Sequence, residues 1–209
     1  METRIQEVRS TKNKHIKIGV IPGHFATNHS HVNYYIDITA IKSRIKTARA
    51  AAEELAIRYS STHIETIICL EGTEVLGAFL ARALSENGIN NGSDICVVTP
   101  ELNVNNQMIF RDNTQQLVWG KQVLLLIASV STGKTISRSI DCLQYYNGHL
   151  NGVAAIFSAV DKAYDMEIHS LFTPEDIPTY ETYQTSECPM CKNGVKVDAL
   201  INCYGYSKL

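Results

Sequence analysis

The sequence lacks the marks of a membrane protein or a nucleic-acid-binding protein. No stretch of its 209 residues approaches the roughly 20 apolar residues of a membrane span, and the N-terminus lacks the apolar run of about 7 residues that a secretory signal needs. The 19 basic and 21 acidic side chains give a formal charge of −2, so no strong positive field is present to attract nucleic acid. Internal repeats and low-complexity segments are absent too. We therefore expect a cytoplasmic protein with small-molecule partners, no nucleic acid and no membrane.

Strand patterns alternate with helix patterns through the middle of the chain. At 44% hydrophobic and 19% charged residues, a chain of this length can bury one core. Such alternation predicts the α/β class, with a mainly parallel, twisted sheet flanked by helices and right-handed crossovers. The predicted strands are 16–21, 65–70, 95–99, 123–128 and 153–160, and the predicted helices are 42–59, 75–84 and 136–146.

Three parts of the chain differ in pattern. Residues 1–40 are predicted to form an N-terminal arm and a small hood. Residues 41–165 carry the strand and helix alternation of the core, interrupted by a polar stretch after Pro100 that predicts a long loop or loose hairpin. Residues 166–209 form a C-terminal extension with a Cys-x-x-Cys pair.

Three histidines lie close together in the predicted hood. His24, His29 and His31 fall within the His-, Asn- and Ser-rich segment 24–35, whose composition favours a surface loop. Three histidines can suggest a metal site, but no carboxylate or cysteine at ligand spacing accompanies them. We therefore interpret them as solvated loop residues.

A strand, a small hydroxyl-rich turn and a helix follow one another after residue 122. The apolar run 123–128 leads into Ser131, Thr132, Gly133, Lys134 and Thr135. The free N–H groups and the dipole of the first helical turn attract an anion, and glycine permits close approach of the backbone. The turn therefore predicts a phosphate site for a nucleotide or another phosphorylated ligand, although Ser or Thr capping alone explains the hydroxyls.

A P-loop is one alternative for this turn. Residues 128–135 satisfy a relaxed Walker A pattern, with Ala128 in place of the first glycine. Asp161 is the nearby candidate for the Walker B acid. This acid follows the very next strand, and about 120 residues precede the loop, an arrangement unusual for P-loop proteins.

Four segments resemble one enzyme family more fully. VLLLIASVSTGKTISRSIDCLQYYNG is similar to the phosphoribosyl diphosphate motif of type I phosphoribosyltransferases. GHFATNHSHVNYYIDITAIKS resembles the N-terminal segment of the orotate enzymes, and ICLEGTEVLGAFLARAL stands where that family has its pyrophosphate loop. ECPMCKNG is similar to a tail found in some orotate enzymes. The four segments run in family order from Gly23 to Gly194.

The resemblance implies a fold, a reaction and partners. It implies the type I phosphoribosyltransferase fold, and a transfer of a phosphoribosyl group from its diphosphate to a pyrimidine base with release of pyrophosphate. Mg²⁺ and a homodimer are implied as well, with the Tyr34-Tyr35 segment, the 100–120 loop and the apolar tail as surfaces for a second subunit. The turn at 131–135 would hold the 5′-phosphate, and Glu71, Gly72 and Thr73 would face the pyrophosphate.

The sequence lacks charged residues that the family has in its phosphoribosyl diphosphate motif and in its mobile loop. The family places two acids in the motif, and here these positions are Ile127 and Ala128. No lysine occurs from residue 100 to 120, so Arg111 is the cation available to the family's mobile loop. Weak candidates to replace the acids are Asp37, Glu74 and Asp112. We expect slow transfer or, alternatively, a non-catalytic nucleotide-binding or regulatory relative.

The C-terminal cysteines allow a second interpretation. Cys188 and Cys191 form half of a zinc knuckle, and Cys203 follows twelve residues later, so these three are weak zinc candidates. His169 or His149 would have to complete a set of four ligands. Free thiols are the simpler interpretation for all six cysteines.

Overall fold

The computed structural model describes residues 2–105 and 107–209. Met1 of the predicted arm and Asn106 of the predicted 100–120 loop lie outside the described residues. The strands are β1 (Gln6–Arg9), β2 (Lys17–Ala26), β3 (His31–Asp37), β4 (Thr66–Cys69), β5 (Cys96–Val98), β6 (Glu101–Leu102), β7 (Met108–Ile109), β8 (Gln122–Val130), β9 (His149–Ser158), β10 (Lys162–Ala163), β11 (Met166–Phe172), β12 (Thr182–Tyr183), β13 (Ala199–Asn202) and β14 (Gly205–Lys208). The α-helices are α1 (Thr39–Ser43), α2 (Ile45–Arg58), α3 (Glu74–Ser85), α4 (Asp112–Gln115), α5 (Lys134–Tyr145) and α6 (Pro189–Lys192), with short 3₁₀ turns at Glu2–Arg4, Gly88–Asn90 and Pro174–Asp176. Among the described residues, no helix is both long and apolar enough to span a membrane.

The central sheet confirms the predicted α/β class. Its strand order is β10-β11-β9-β8-β4-β5, and all neighbours are parallel except the antiparallel β10 and β11. Residues 123–128 of β8 are fully buried, because apolar clusters cover both faces of the sheet. The uninterrupted apolar run in the sequence has this cause.

Predicted and observed elements differ mainly at their ends. The predicted helix 42–59 is two helices, α1 and α2, separated by the extended backbone of Arg44. The predicted strand 16–21 is longer and runs through Pro22-Gly23 to Ala26, with a register shift between Pro22 and Phe25 where the proline has no N–H to donate. The polar stretch after Pro100 forms the short β6–β7 hairpin and α4.

A second sheet, the hood, is built from both ends of the chain. Its order is β12-β3-β2-β13-β14, and β1 pairs with β2 on the side of β13. The segment predicted as the C-terminal extension is divided between the two sheets, since β11 lies beside β9 in the core. The hood therefore joins the N-terminal arm to the last strands of the chain.

The prediction of a solvated loop over residues 24–35 is wrong. The segment forms the end of β2, a tight turn and β3, and His24 and His31 are only 1% and 7% exposed. Their polar atoms are satisfied by each other and by groups from the C-terminal segment. The polar composition of the segment suggested a loop. The partners that allow these histidines to be buried lie far away in sequence, so local composition could not reveal them.

Candidate functional site

Two strand-to-helix turns meet at one edge of the central sheet. Strands β4 and β8 are parallel neighbours, with Cys69 opposite Leu126, so their carboxyl ends lie side by side. The turn 70–73 leads from β4 into α3, and the turn 131–133 leads from β8 into α5. This edge is where open α/β sheets place their ligands.

The turn after β8 has the geometry of an anion site. Gly133 is the residue before α5 and has a φ of 75°, in the left-handed region that favours glycine. No acceptor in the described chain pairs with the backbone N–H groups of residues 131–135. These donors and the positive end of the 12-residue helix α5 face the same space.

The turn after β4 carries an acid at the end of β8. Glu71 and Gly72 have φ values of 59° and 77°, and a glutamate in this region is strained. One carboxylate oxygen of Glu71 accepts a hydrogen bond from the N–H of Ser129, at 3.2 Å. Burial raises the pKa of Glu71, and the N–H groups of Ser129 and Ala128 and the charge of Lys42 oppose this shift.

A lysine of helix α1 lies over the same turn. The Nζ of Lys42 donates to the carbonyl oxygen of Cys203 at 2.6 Å. A Cβ on Gly72 would lie 3.2 Å from the Cε and Nζ of Lys42, so only a glycine allows this approach without displacement. Sequence reasoning missed Lys42, because no local pattern connects it with the turn it covers.

The two turns and the hood enclose one cavity of about 530 Å³. Its wall includes the cations Lys42, Lys134 and Arg138, against the single carboxylate of Glu71 among the described lining residues. Residues 201–205 of the C-terminal hairpin also line it. A mainly cationic cavity of this size suits a small ligand with several phosphate oxygens.

Most predicted binding residues reach this cavity. Residues 131–135 line it together with Glu71 and Gly72. Thr73 does not, because it is fully buried and its hydroxyl donates to the carbonyl oxygens of Leu70 and Leu126 at 2.9 and 3.2 Å. Thr73 therefore stabilises the turn from the protein interior, by linking it to β8.

The three weak candidates for the missing acids lie elsewhere. Asp37 accepts from the N–H of Thr39 at 3.0 Å, Glu74 accepts from the hydroxyl of Thr99 at 3.3 Å, and Asp112 lies in the first turn of α4. None of them is among the described residues that line the cavity. Only their acidic side chains make them candidates, and their positions in the fold do not support that role.

The positions where the family has charged residues are either apolar in this chain or occupied by a residue that is paired elsewhere. Ile127 and Ala128 are fully buried in β8. Arg111 makes a two-pronged ion pair with Glu101, at 2.9 and 2.6 Å, on the β6–β7 hairpin. Asp161, the Walker B candidate, does not line the cavity formed by the described residues. The P-loop alternative therefore receives no support from the site.

The C-terminal cysteines separate into two places. Cys203 lines the cavity beside Lys42, whereas Cys188 and Cys191 lie next to His24 and His31 in the hood. His169 packs its ring against Tyr59, and His149 begins β9 on the core sheet. Neither is part of the group around Cys188.

Solved structures with this fold are phosphoribosyltransferases. A phosphoribosyltransferase from Corynebacterium diphtheriae superposes with a TM-score of 0.54 at 19% identity, over 76% of this chain and 90% of that one. Orotate phosphoribosyltransferase from Mycobacterium tuberculosis H37Rv, in complex with 5-phospho-α-D-ribosyl 1-diphosphate, gives a TM-score of 0.52 at 13% identity, over 68% of this chain and 82% of that one. The fold is that of the type I phosphoribosyltransferases, as the sequence predicted.

Sequence similarity narrows the comparison within that class. The chain is 27% identical to the orotate phosphoribosyltransferase of Thermoanaerobacter sp. (strain X514) over 181 residues, covering 86% of this chain and 89% of that enzyme. No family model matches the chain. In sequence, the chain is thus similar to orotate phosphoribosyltransferases.

Proposed function

We propose that the cavity binds phosphoribosyl diphosphate and transfers its phosphoribosyl group to a pyrimidine base, orotate, with release of pyrophosphate. The observation that carries this proposal is the meeting of the two turns in one cationic cavity. The structural relative from M. tuberculosis holds this diphosphate, as its description states. Such a ligand carries a monophosphate at one end and a diphosphate at the other, which matches two phosphate-binding turns.

The two turns would divide the ligand between them. The N–H groups and hydroxyls of residues 131–135 take the 5′-phosphate, with the positive end of α5 behind it. Gly72 and Lys42 face the diphosphate, because they form the wall on the side of β4. The base then lies under the hood.

Glu71 supplies the charge support that Ile127 and Ala128 cannot. In the transfer, the bond from the anomeric carbon to the diphosphate oxygen breaks, and diphosphate leaves with the electron pair. The bond from that carbon to the ring nitrogen of the base forms, and the proton of that nitrogen passes to the departing diphosphate. The sugar is cationic in between, and a carboxylate at the end of β8 stabilises that charge.

The described donors fit Mg²⁺ only as a companion of the ligand. Glu71 is the single carboxylate in the described cavity wall, and Mg²⁺ is commonly held by one or two carboxylates together with substrate phosphates and water. The ion would neutralise charge on the diphosphate. Glu71 would be its contact on the protein.

Turnover with orotate and phosphoribosyl diphosphate tests the proposal. We expect a measurable rate on the order of a hundredfold or more below that of an orotate phosphoribosyltransferase that has both acids and the loop lysine, assayed beside it. Calorimetry with ribose 5-phosphate accompanies the assay. Binding without turnover would indicate a non-catalytic nucleotide-binding relative, and absence of both would refute the site.

We also propose a homodimer, with the β6–β7 hairpin as part of its interface. Val104 in that hairpin is 99% exposed, and Leu102 beside it is 53% exposed. The Tyr34-Tyr35 segment contributes less than the sequence suggested, because Tyr35 is buried against Tyr206 of the same chain, with ring centroids 5.1 Å apart. Sedimentation velocity is expected to show twice the chain mass of 23.2 kDa. A monomer at micromolar concentration would reject the dimer.

A further inference from the structure

Four side chains with metal-binding atoms converge in the hood, outside the cavity. They are His24 and His31 from β2 and β3, and Cys188 and Cys191 from the start of α6. One ligand atom from each lies within 4.8 Å of the other three. The two pairs are separated by more than 150 residues of sequence, so the fold alone brings them together.

The cysteine pair has the local form of a metal knuckle. Cys188 precedes α6 and Cys191 lies within it, with Pro189 as the first residue of the helix. The backbone then turns back, with the N–H of Gly194 donating to the carbonyl oxygen of Cys191 at 3.0 Å and a φ of 69° at this glycine. Such a turn directs both thiols to the same side. A C-x₂-C pair is typical of zinc sites, whereas the histidine spacing is longer than the usual one.

The distances between ligand atoms fit a tetrahedral ion. Cys188 Sγ and Cys191 Sγ each lie 3.6 Å from His24 Nε2, and Cys191 Sγ lies 3.3 Å from His31 Nδ1. A tetrahedral Zn²⁺ with ordinary bond lengths keeps a nitrogen and a sulfur ligand about 3.5 Å apart, and two nitrogens about 3.3 Å apart. The two imidazole nitrogens are 2.9 Å apart. In these four pairs the distances differ from the tetrahedral values by only a few tenths of an ångström, and the other two pairs of ligand atoms lie within 4.8 Å.

The surroundings orient the ligands. Nδ1 of His24 lies 2.9 Å from the carbonyl oxygen of Val195, which can only accept, so Nδ1 carries the proton and the lone pair of Nε2 faces the cluster. A metal-bound histidine generally has such a partner on its other nitrogen. His24, His31 and Cys188 are buried, and Cys191 lies at the surface and provides an entry path.

We propose that His24, His31, Cys188 and Cys191 bind one structural Zn²⁺. Two thiolates and two imidazoles form a complete tetrahedral set, which leaves no position for water or substrate. The site is therefore structural and distinct from the cavity. Cys203 takes no part, and the completing histidines come from the hood strands rather than from His149 or His169.

The ion would fasten the C-terminal segment to the β2–β3 hairpin. The N–H of Asp198 donates to the carbonyl oxygen of His24 at 2.7 Å, and Ala199 then pairs with Phe25 at the start of β13. The hairpin that follows supplies residues 201–205 to the cavity wall. Zinc thereby positions one wall of the ligand cavity without touching the ligand.

Metal analysis of the full-length, untagged protein tests this inference directly. Inductively coupled plasma mass spectrometry is expected to find about one zinc per chain after purification with no added metal. Replacement by Co²⁺ should produce the absorption of tetrahedral cobalt with thiolate ligands. Protein that is folded by circular dichroism yet retains less than a tenth of an equivalent, even after incubation with Zn²⁺, would overturn the proposal and leave a network of neutral imidazoles and thiols.

A pair of cysteine variants localises the ion. Cys191→Ser, at the exposed ligand, should lower zinc content at least tenfold and lower the melting temperature. Cys96→Ser, a half-buried cysteine in β5, should keep the full equivalent. Equal zinc in both variants would place the ion elsewhere and refute the assignment. None of these measurements depends on transferase activity, so they remain decisive if the proposed function fails.

Discussion

Gly133→Val is expected to abolish binding of ribose 5-phosphate. The φ of 75° at Gly133 is strained for a side chain branched at Cβ, and any relaxation turns the N–H groups of residues 131–135 away from the phosphate. The protein itself offers room at this position, since the nearest atom to an added Cβ is that of Ala163 at 3.5 Å. Loss of binding would thus come from the changed backbone of the turn and not from a clash with the rest of the protein. Isothermal titration calorimetry measures it.

Gly92→Val is the matched control for backbone strain. Gly92 has a φ of 79° and no atom within 4 Å of an added Cβ, and it lies away from the cavity. We expect this variant to lose stability and keep binding. Full binding by Gly133→Val, or equal loss in both variants, would contradict a phosphate site at this turn.

Lys134 distinguishes the phosphate turn from a P-loop in the same experiment. Lys134→Ala should weaken ribose 5-phosphate binding only modestly, since its side chain is an exposed charge. In a P-loop, the lysine reaches the β and γ phosphates of ATP. Tight magnesium-dependent ATP binding that disappears in Lys134→Ala would therefore overturn the comparison with phosphoribosyltransferases.

Glu71→Gln is expected to lower kcat/KM for phosphoribosyl transfer on the order of a hundredfold. The amide keeps the shape of the side chain but removes the negative charge at the end of β8 that we propose to support the cationic sugar. Binding of ribose 5-phosphate should change little, because that phosphate sits on the other turn. Steady-state assays with orotate and phosphoribosyl diphosphate measure the first effect, and calorimetry the second.

Glu86→Gln provides the matched control for the loss of a carboxylate. Glu86 lies just after α3 at the surface, paired with Arg82 at 2.7 Å, and outside the cavity. Its replacement should leave kcat/KM unchanged. If Glu71→Gln retained the parent rate, the charge support would have to come from another group, and our role for Glu71 would be wrong.

The strand, turn and helix around residues 131–135 could be predicted because their signal is local. A buried strand, a glycine and a helix start follow one another within about fifteen residues, and each step has its own physical cause. Glu71 and Gly72 were indicated only by the resemblance to the phosphoribosyltransferases. The position of the Glu71 carboxylate at the end of β8 could not be predicted, because it depends on two parallel strands that meet 58 residues apart in sequence.

The burial of the histidines in the hood could not be predicted for the same reason. His24 and His31 occur in a polar segment that has the composition of a loop, and their burial depends on Cys188, Cys191 and Val195. The sequence shows the pair Cys188 and Cys191, but it indicates only His149 and His169 as further zinc ligands. The cluster of histidines near the N-terminus could not be connected with these cysteines, since a single sequence does not reveal which strands share a sheet.

The placement of β13 beside β2 has a consequence for synthesis of the protein. Ala199 and Leu200 pair with Phe25 and Ala26 at the edge of β2. The ribosome completes β2 far earlier than β13. Until Ala199 and Leu200 emerge, that part of the edge of β2 presents open backbone donors and acceptors to other strands. The strands of the central sheet are all synthesised before then, since β11 ends at Phe172. The wall of the cavity formed by residues 201–205 is thus synthesised after the whole of the central sheet, and until then the cavity lacks that wall.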